Sequence, residues 1–447
     1  MNVHPELVTT VIAQRKRELL RRAELHRRLP RRERPVRKAQ RAPLANPTYR
    51  RLFAAQVVAL AGTGLTTIAL TLLAYDLAED GAGAVVGIAL ALKMVVYVFG
   101  APVITALAGR LPRRGLLVAL DVLRAGSVVG MLFVTEVWHV YVLIVLVNAC
   151  SAGFTPTFQA TIPDVLTDEP TYTRALSLSR IAYELEGLLS PALAAALLAF
   201  VSYDGLFAAN GVAFLCSAAL VLSTRLPARR VAPTAESRRR QITLGTRHYL
   251  ATPRLRGLLA LNLAVAAASA MVIVNTVVYV RDAFGRDASD VAWALGASGA
   301  GAMLAALLLP RLLDRVPDRT VMLSGGVVLA AGLALAAVVD GFHALIGVWF
   351  ALGLGLSIVQ TPIGRIVTRS GSPEERPALF AAQFSLSHAC WLATYPIAGV
   401  LGSVLGLAAT ASILACVAAA AVLAAGFAWR ADAVAAVKPR QVAAQRA

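Results

Sequence analysis

Long apolar segments alternate with short polar ones along most of the chain. Between Leu52 and Trp429, segments of roughly twenty mostly apolar residues follow one another, and each is long enough to cross the hydrocarbon core of a bilayer as a helix. We expect twelve transmembrane helices, over residues 52–77, 84–108, 115–135, 138–158, 178–201, 205–224, 257–280, 291–313, 320–339, 343–364, 378–402 and 404–429.

The two halves of this pattern repeat each other. The phrase "NPTYRRLFAAQ" from Asn46 matches "TPRLRGLLALN" from Thr252 at an offset of 206 residues. An Arg-x-Pro-x-Arg pattern also occurs twice, 205 residues apart, at Arg110, Pro112, Arg114 and at Arg315, Pro317, Arg319. Such repeats are typical of secondary transporters, which hold substrate near the midplane between two halves that rock about it. The predicted fold class is an all-α membrane protein with two six-helix pseudo-repeats.

The longest polar stretch between apolar segments sets the predicted domain boundaries. We expect an N-terminal six-helix bundle over residues 46–224, a linker over 225–256 and a C-terminal six-helix bundle over 257–429. Residues 1–45 form a basic N-terminal tail, and residues 430–447 form a C-terminal tail.

Composition supports a membrane protein and excludes several other classes. Apolar residues make up 58% of the chain, and the mean hydropathy of +0.68 exceeds what a soluble core needs. The four cysteines lie inside apolar segments without C-x-x-C spacing, so we expect neither a disulfide framework nor a zinc site. No G-x-x-x-x-G-K-[ST] motif is present, so the chain is not an ATPase of that type. We expect no enzyme activity, no cofactor and no bound metal.

The distribution of charge predicts the orientation in the membrane. The net charge is +18, and almost all arginines between the apolar segments fall in the even-numbered loops, whereas the odd-numbered loops hold only Arg281 and Arg286. Lys and Arg in short loops are retained on the cytoplasmic side during insertion. The predicted location is therefore the cytoplasmic membrane, with many spans and both termini inside. Acidic residues mark the outer loops, namely Asp76, Glu79, Asp80, Glu136, Asp204, Asp287, Asp290 and Asp340.

The N-terminal tail is unusually basic. From Arg15 to Lys38 it holds twelve basic residues among twenty-four, interleaved with leucines. One interpretation is an amphipathic helix on anionic lipid, where each cation near the surface adds roughly 1 kcal/mol. The alternatives are a disordered tail or a start site assigned too far upstream. No folded reader of nucleic acid accompanies this charge, so we do not expect a nucleic-acid partner.

The repeated loops resemble the signature of the major facilitator superfamily, and the resemblance covers nearly all of residues 46–430. That signature reads G-x-x-x-D-R-x-G-R-R between spans 2 and 3, with an echo between spans 8 and 9. The first copy here keeps the basic residues without the acid, and the second keeps an acid at Asp314. The resemblance implies a cytoplasmic charge relay that holds the outward-facing state. Its candidate gate residues are Arg110, Arg113, Arg114, Asp314, Arg315 and Arg319.

Other phrases resemble one branch of this superfamily, the drug:proton antiporters, in the subgroup that includes macrolide and enterobactin exporters. They are "DVLRA" from Asp121, "GFTPTFQATIPDVL" from Gly153 and "RPALFAAQFSLSHACW" from Arg376. Pro191 resembles the proline of the fifth-helix antiporter motif, although the flanking glycines are absent. The resemblance implies proton-coupled efflux of small amphipathic molecules by alternating access. Two alternatives remain, a dedicated exporter of a siderophore or metal complex and a membrane sensor or scaffold that transports nothing.

Ionisable residues inside the apolar segments are the candidate sites for substrate and proton, because such groups are costly in the bilayer and usually face a cavity or a partner. Lys93 lies about ten residues into span 2. It serves either as the counter-charge for an anionic substrate or a coupling carboxylate, or as one partner of a structural ion pair. Asp121 and Arg124 are three apart and can neutralise each other on one helical face.

The fifth and eleventh segments carry the remaining candidates. Glu184 and Glu186 diverge by about 200° around a helix, and Glu184 has Arg180 one turn before it. Glu186 is therefore the preferred proton-coupling group. His388 lies deep in span 11, where it either carries a proton near neutral pH or packs with a hydrogen bond. We expect small-molecule substrate, protons and membrane lipid as partners.

Overall fold

The computed structural model describes residues 42–78, 82–107, 111–227 and 238–446, and these form a nearly all-helical structure without a β-strand in the described ranges. The helices of the first half are α1 (Pro47–Ala78), α2 (Ala82–Leu107), α3 (Arg113–Gly130), α4 (Val137–Val165), α5 (Glu169–Leu198) and α6 (Tyr203–Leu222). The remaining helices are α7 (Arg238–Ala251), α8 (Pro253–Val277), α9 (Ala288–Leu313), α10 (Asp318–Ala336), α11 (Phe342–Gln360), α12 (Ile363–Arg369), α13 (Arg376–Val404) and α14 (Leu407–Arg446).

Each of the twelve predicted apolar segments overlaps a helix over most of its length, several run a few residues past a helix end, and segment 343–364 covers α11 and the start of α12. Within the described residues, ten helices are long and apolar enough to cross a membrane, and an eleventh is counted when the bent α5 is taken as one span. The bend in α5 is 42° and falls between Ser190 and Ala192, where Pro191 interrupts the helical hydrogen bonds. Polar residues such as Gln383 and His388 lower the hydropathy of α13, which is not in this set.

Four buried apolar clusters hold the described part of the bundle together, two in each half of the chain. Leu65, Leu73 and Phe207 belong to a buried cluster of the first half. Leu258 and Trp349 belong to a larger cluster made almost wholly of residues from the second half. This separation allows each half to move as a packed unit, since the buried contacts are mostly internal to it.

The halves meet along pairs of helices. α2 packs against α13, and α5 packs against α9. The short helix α7 lies within the predicted linker and packs against α2 and α13. Gly245 permits its approach to α13, because a Cβ there would collide with the backbone of Ala378. The N-terminal tail, apart from residues 42–45, lies outside the described residues, as does the middle of the linker.

Candidate functional site

The charged residues that join the two halves lie at the ends of helices. Pro112 and Pro317 occupy the position before α3 and α10, so Arg113 and Asp318 become the first residues of those helices. The repeated proline therefore gives both loops the same geometry. It places a charged side chain at the same point of each half.

The start of α5 is fixed by a capping interaction. The Asp168 carboxylate accepts a hydrogen bond from the backbone N–H of Thr171 at 3.1 Å and another from its hydroxyl at 2.6 Å. Glu169 is consequently the first residue of α5. Its carboxylate lies at the same end of the bundle as Asp318.

One group of ion pairs centres on Asp164, near the end of α4. Its carboxylate pairs with Arg113 of the same half and, at 2.9 Å, with Arg376 at the start of α13. The Asp164 and Arg376 side chains are each 18% exposed, and that of Arg113 is 7% exposed. Asp164 thus connects its own half to the other through two charge-assisted contacts.

A second group centres on the two arginines of α12. Arg365 contacts Glu169 at 2.8 Å and Asp318 at 3.1 Å, and it donates to the Thr173 hydroxyl at 2.7 Å. Arg369 pairs with the same two carboxylates. We call these two groups the gate network, formed by Arg113, Asp164, Glu169, Asp318, Arg365, Arg369 and Arg376.

A glycine permits the close approach of the halves at this network. A Cβ on Gly364 would lie 2.5 Å from the Tyr172 hydroxyl of α5. α12 can therefore approach α5 closely only because position 364 has no side chain. This close approach brings Arg365 within reach of Glu169 and Thr173.

The gate network repeats between the halves with its charges exchanged. Arg113 and Asp164 are 51 residues apart, and so are Asp318 and Arg369, which stand 205 residues later in the chain. An arginine in the first half thus corresponds to an aspartate in the second, and an aspartate to an arginine. Arg376 and Glu169 each reach across to the other half, Arg376 to Asp164 and Glu169 to Arg369, although they lie 207 residues apart and are not at equivalent positions of the repeat.

A hydrogen bond from an arginine to a backbone carbonyl also repeats, and here the residue type is arginine in both halves. Arg114 donates to the carbonyl of Thr224 at 3.3 Å, and Arg319 donates to the carbonyl of Trp429 at 3.1 Å. Both partners are 110 residues further along the chain. The second arginine of each Arg-x-Pro-x-Arg pattern therefore ties its loop to the end of its own half.

The six predicted gate residues differ in the contacts that they make. Arg113, Arg114 and Arg319 make the contacts described above, and Arg110 lies outside the described residues. Asp314 and Arg315 line a cavity beside the gate, and neither forms an ion pair within the described part of the chain. The acid of this loop that forms ion pairs in the structure is Asp318, four residues after Asp314. The gate role expected of Asp314 stays a prediction.

The acids of the first half, Asp164 and Glu169, were not predicted. A search for charged positions that exchange sign at an offset of 205 would have found Asp164 opposite Arg369. The signature motif covers only the loop before α3 and its repeat before α10. The ion-pair partners of Arg113 and Asp318 lie 51 residues further along the chain, outside that motif.

The second part of the site lies deeper, where α2 meets α13. We call Tyr97, Phe384, His388 and Trp391 the aromatic cluster. Tyr97 of α2 contacts Phe384 and His388 of α13, with ring centroids 5.0 and 4.8 Å apart. The Lys93 ammonium lies 5.8 Å from the centre of the Tyr97 ring, within the range of a cation–π interaction.

His388 has a defined hydrogen-bonding role within this cluster. Its Nδ1 lies 2.7 Å from the carbonyl oxygen of Phe384. A carbonyl only accepts, so Nδ1 carries the proton and Nε2 keeps its lone pair in the neutral imidazole. The Trp391 Nε1–H beside it is buried without a hydrogen-bond partner among the described residues. The cluster therefore presents both an acceptor and a donor among its rings.

The two glutamates of α5 have different partners. Glu184 forms an ion pair with Arg180, as predicted, and Arg180 also donates to the Gln360 amide oxygen of α11 at 2.5 Å. Glu186 forms no ion pair within the described residues, and the charges that act on it are those of Lys93 and Glu184. The contact between Arg180 and Gln360 crosses between the halves.

Glu186 also packs closely against α1. A Cβ on Gly64 would lie 2.9 Å from the Glu186 Oε1 atom and would collide with the Ser190 hydroxyl. Counting a rise of 1.5 Å per residue, Lys93, Glu186 and His388 lie roughly 18 to 26 Å along their helices from the gate end. The structure thus brings the predicted residues of spans 2 and 11 together, and places Glu186 within electrostatic range of Lys93.

Asp121 and Arg124 lie elsewhere, inside the first half. They form the predicted ion pair, and the Ser217 hydroxyl donates to Asp121 at 2.8 Å. The guanidinium of Arg124 lies between the rings of Phe154 and Phe214, 4.1 and 4.4 Å from their centres. This ion pair joins α3 to α4 and α6 through these contacts.

Comparison with known proteins agrees with this geometry. Residues 38–365 match the MFS family described as a transmembrane secretion effector. The chain is 24% identical over 379 residues to the uncharacterized MFS-type transporter YfiS of Bacillus subtilis (strain 168), a match that covers 82% of this chain and 89% of that protein.

Two solved structures share the fold. The crystal structure of the human organic anion transporter MFSD10 (TETRAN) gives a TM-score of 0.74 at 14% identity, over 84% of this chain and 98% of that one. The crystal structure of FucP, an MFS transporter in the outward conformation, gives 0.65 at 13% identity, over 85% and 98%. At these identities the likeness concerns the fold.

Proposed function

We propose that this chain, which belongs to the transmembrane secretion effector family of the major facilitator superfamily, exports small amphipathic molecules in exchange for protons. It is a multi-pass membrane transporter and not an enzyme. The transporting units are residues 46–224 and 257–429, which rock about a central site. The gate network lies at the cytoplasmic end, and both termini are cytoplasmic, as the distribution of arginines predicts.

The observation that carries the proton coupling is the position of Glu186. It is an acid deep within the bundle, it has no ion pair among the described residues, and it lies within the electrostatic reach of Lys93. Such a carboxylate can alternate between protonated and ionised states as the site opens to each side. Glu184, by contrast, is held in an ion pair with Arg180.

The aromatic cluster supports the substrate class. Tyr97, Phe384 and Trp391 offer ring surfaces to an apolar body, while Lys93, Glu186 and the His388 Nε2 atom offer polar contacts. Sites for small molecules typically combine a mostly apolar wall with a few polar groups that fix orientation. An amphipathic substrate fits this mixture better than a fully hydrophilic one.

Everted membrane vesicles with an acidified lumen test the proposal. A panel of fluorescent amphipathic dyes is added, and uptake is measured together with dissipation of the pH gradient. We expect Glu186→Gln to reduce uphill accumulation to about a tenth of the parent's or less, since a neutral amide cannot carry the proton, while downhill exchange of the same dye continues. Glu184→Gln is the matched control and should retain uphill transport.

The results separate three cases. Loss of uphill transport in Glu184→Gln and its survival in Glu186→Gln would reverse the assignment of the two residues. Survival in both variants would remove α5 from proton coupling. Dye uptake by the parent that is unaffected by the pH gradient would contradict proton coupling itself.

A further inference from the structure

A cavity of about 630 Å³ lies beside the gate network, within the C-terminal half. Its wall is formed by the loop over residues 313–319, by α12, and by Arg254 and Trp429 from either end of that half. The aromatic cluster does not contribute to it. The cavity is therefore distinct from the proposed transport site.

The wall of this cavity is strongly positive. It carries five arginine side chains but only two carboxylates, Asp314 and Asp318. Asp318 is already engaged by Arg365 and Arg369 in the gate network. Glu169 also pairs with both of these arginines. The remaining carboxylate of the wall, Asp314, lies in the same loop as Arg315 and Arg319, so positive charge is in excess there.

Several N–H donors in the wall have no acceptor within the described residues. Arg315 is exposed and forms no ion pair there. Arg319 donates to the carbonyls of Trp429 at 3.1 Å and Gly426 at 3.4 Å, which leaves part of its five-donor guanidinium available. The Arg365 side chain is 8% exposed, and its Nε atom is buried without a hydrogen-bond partner.

These features identify the chemistry of a ligand. Guanidinium groups match the tetrahedral oxygens of phosphate through paired N–H donors. The volume lies within the usual range for small-molecule sites and exceeds what a bare phosphate fills. We infer that this cavity binds a phosphate-bearing anion, either a soluble phosphate compound or the headgroup of an anionic lipid. Its access to cytoplasmic ligands depends on the topology proposed above.

Binding to the purified full-length protein tests this inference without any transport measurement. In the first arm, calorimetry measures the affinity of inorganic pyrophosphate for the protein in neutral detergent. In the second arm, the unfolding temperature is compared in nanodiscs of phosphatidylcholine with and without phosphatidylglycerol, because a ligand bound to the folded state raises it. The first arm reports a soluble source, and the second reports a lipid source.

Three variants make the test specific. Arg315→Gln removes a charged donor and should weaken binding by about tenfold, as loss of a charge-assisted hydrogen bond does. Asp314→Asn removes the opposing charge and should strengthen binding, by about twofold to fivefold. Arg114→Gln is the matched control, because Arg114 corresponds to Arg319 in the first half and does not line this cavity. It should leave the affinity unchanged.

The outcomes divide clearly. Dependence on Arg315 and Asp314 in the pyrophosphate arm supports a soluble ligand, and the same dependence in the nanodisc arm alone supports a lipid headgroup. Equal affinity for pyrophosphate together with equal stabilisation by phosphatidylglycerol in the parent, Arg315→Gln and Asp314→Asn would overturn the inference. Arg315→Lys, which keeps the charge but not the paired donors, replaces Arg315→Gln if that variant fails to elute as a monodisperse protein. A result here stands whether or not the dyes are transported.

Discussion

At the scale of single residues, the two glutamates of α5 show how neighbours divide roles between identical side chains. Glu184 and Glu186 are separated by one residue, so they project from different faces of the helix. Arg180 lies one turn before Glu184 and pairs with it, whereas no arginine stands in that position for Glu186. The spacing alone predicts this difference. The contact of Glu186 with α1 requires the structure.

Gly64 provides a residue-scale test of that contact. We expect Gly64→Ala to destabilise the protein and to slow uphill transport, because the added methyl group would displace the Ser190 hydroxyl and the Glu186 carboxylate. The measurements are the unfolding temperature in detergent and dye uptake driven by a pH gradient.

Gly87→Ala is the control for helix propensity. Nothing lies within 4 Å of a Cβ built at Gly87, so the substitution should leave stability unchanged or raise it by up to about 1 kcal/mol, as expected for glycine to alanine in a helix. Equal effects of the two substitutions would show that the packing of Gly64 against Glu186 is unimportant.

At the scale of helices, the gate network combines ion pairs with helix dipoles. In the second half, Asp318 begins α10 and Arg369 ends α12, so each charge is favourable at its helix terminus. In the first half the charges are exchanged, and Arg113 begins α3 while Asp164 lies near the end of α4. Those two charges oppose their helix dipoles, by roughly 0.3 to 1 kcal/mol each.

Reversing the charges of the first half tests this interpretation. Asp164→Arg alone would place Arg113, Arg376 and the new arginine together, so we expect loss of folded protein or at least a tenfold loss of transport. The triple variant Arg113→Asp, Asp164→Arg, Arg376→Glu restores opposite charges and aligns all three with their dipoles. It should recover folding and unfold at a temperature no lower than the parent's.

The measurements for these variants are thermal unfolding and dye transport. Because a more stable gate opens less readily, the triple variant should transport more slowly than the parent even though it folds. Failure of the triple variant to recover from the defect of Asp164→Arg would mean that the charges of the first half cannot be reversed as a set.

Asp318→Asn and Asp314→Asn form a second matched pair of variants, and dye transport is the measurement. Only Asp318→Asn should alter transport, through loss of its ion pairs with Arg365 and Arg369.

Element boundaries show what the sequence can and cannot predict. All twelve apolar segments are helical over most of their length, since hydropathy reports burial in lipid or protein. α5 nevertheless begins at Glu169, nine residues before the predicted start at 178, because its first turns are polar and face the gate. α7 was not predicted, since residues 238–251 form a polar helix that packs on other helices. α14 continues to Arg446, beyond the predicted end at 429.

At the scale of the whole molecule, the internal repeat predicts more than the fold. The 205-residue offset identifies both loops, their prolines and their second arginines, and the structure confirms that Arg114 and Arg319 make equivalent contacts. The aromatic cluster could not be found in this way, because Tyr97 and His388 come from different halves and from positions that do not correspond in the repeat. Contacts between halves depend on how two bundles dock, which periodicity does not encode.

The orientation of the whole molecule gives the last prediction. Asp204 lies in the first turn of α6, and Asp340 lies just before α11. Both are at the end of the bundle opposite the gate network, and the distribution of arginines assigns that end to the outside. A single cysteine at either position should therefore react with an impermeant maleimide added to intact cells. The background lacks Cys150, Cys216, Cys390 and Cys416, all of which are free thiols.

A cysteine at Ser237, in the linker, serves as the opposite control. It should react only after the membrane is permeabilised, because the linker belongs to the arginine-rich side. Labelling of Ser237→Cys in intact cells, with Asp204→Cys and Asp340→Cys protected, would place the gate network outside. The proposed cavity for a phosphate-bearing anion would then face away from cytoplasmic ligands, while its affinity for pyrophosphate in detergent would be unchanged.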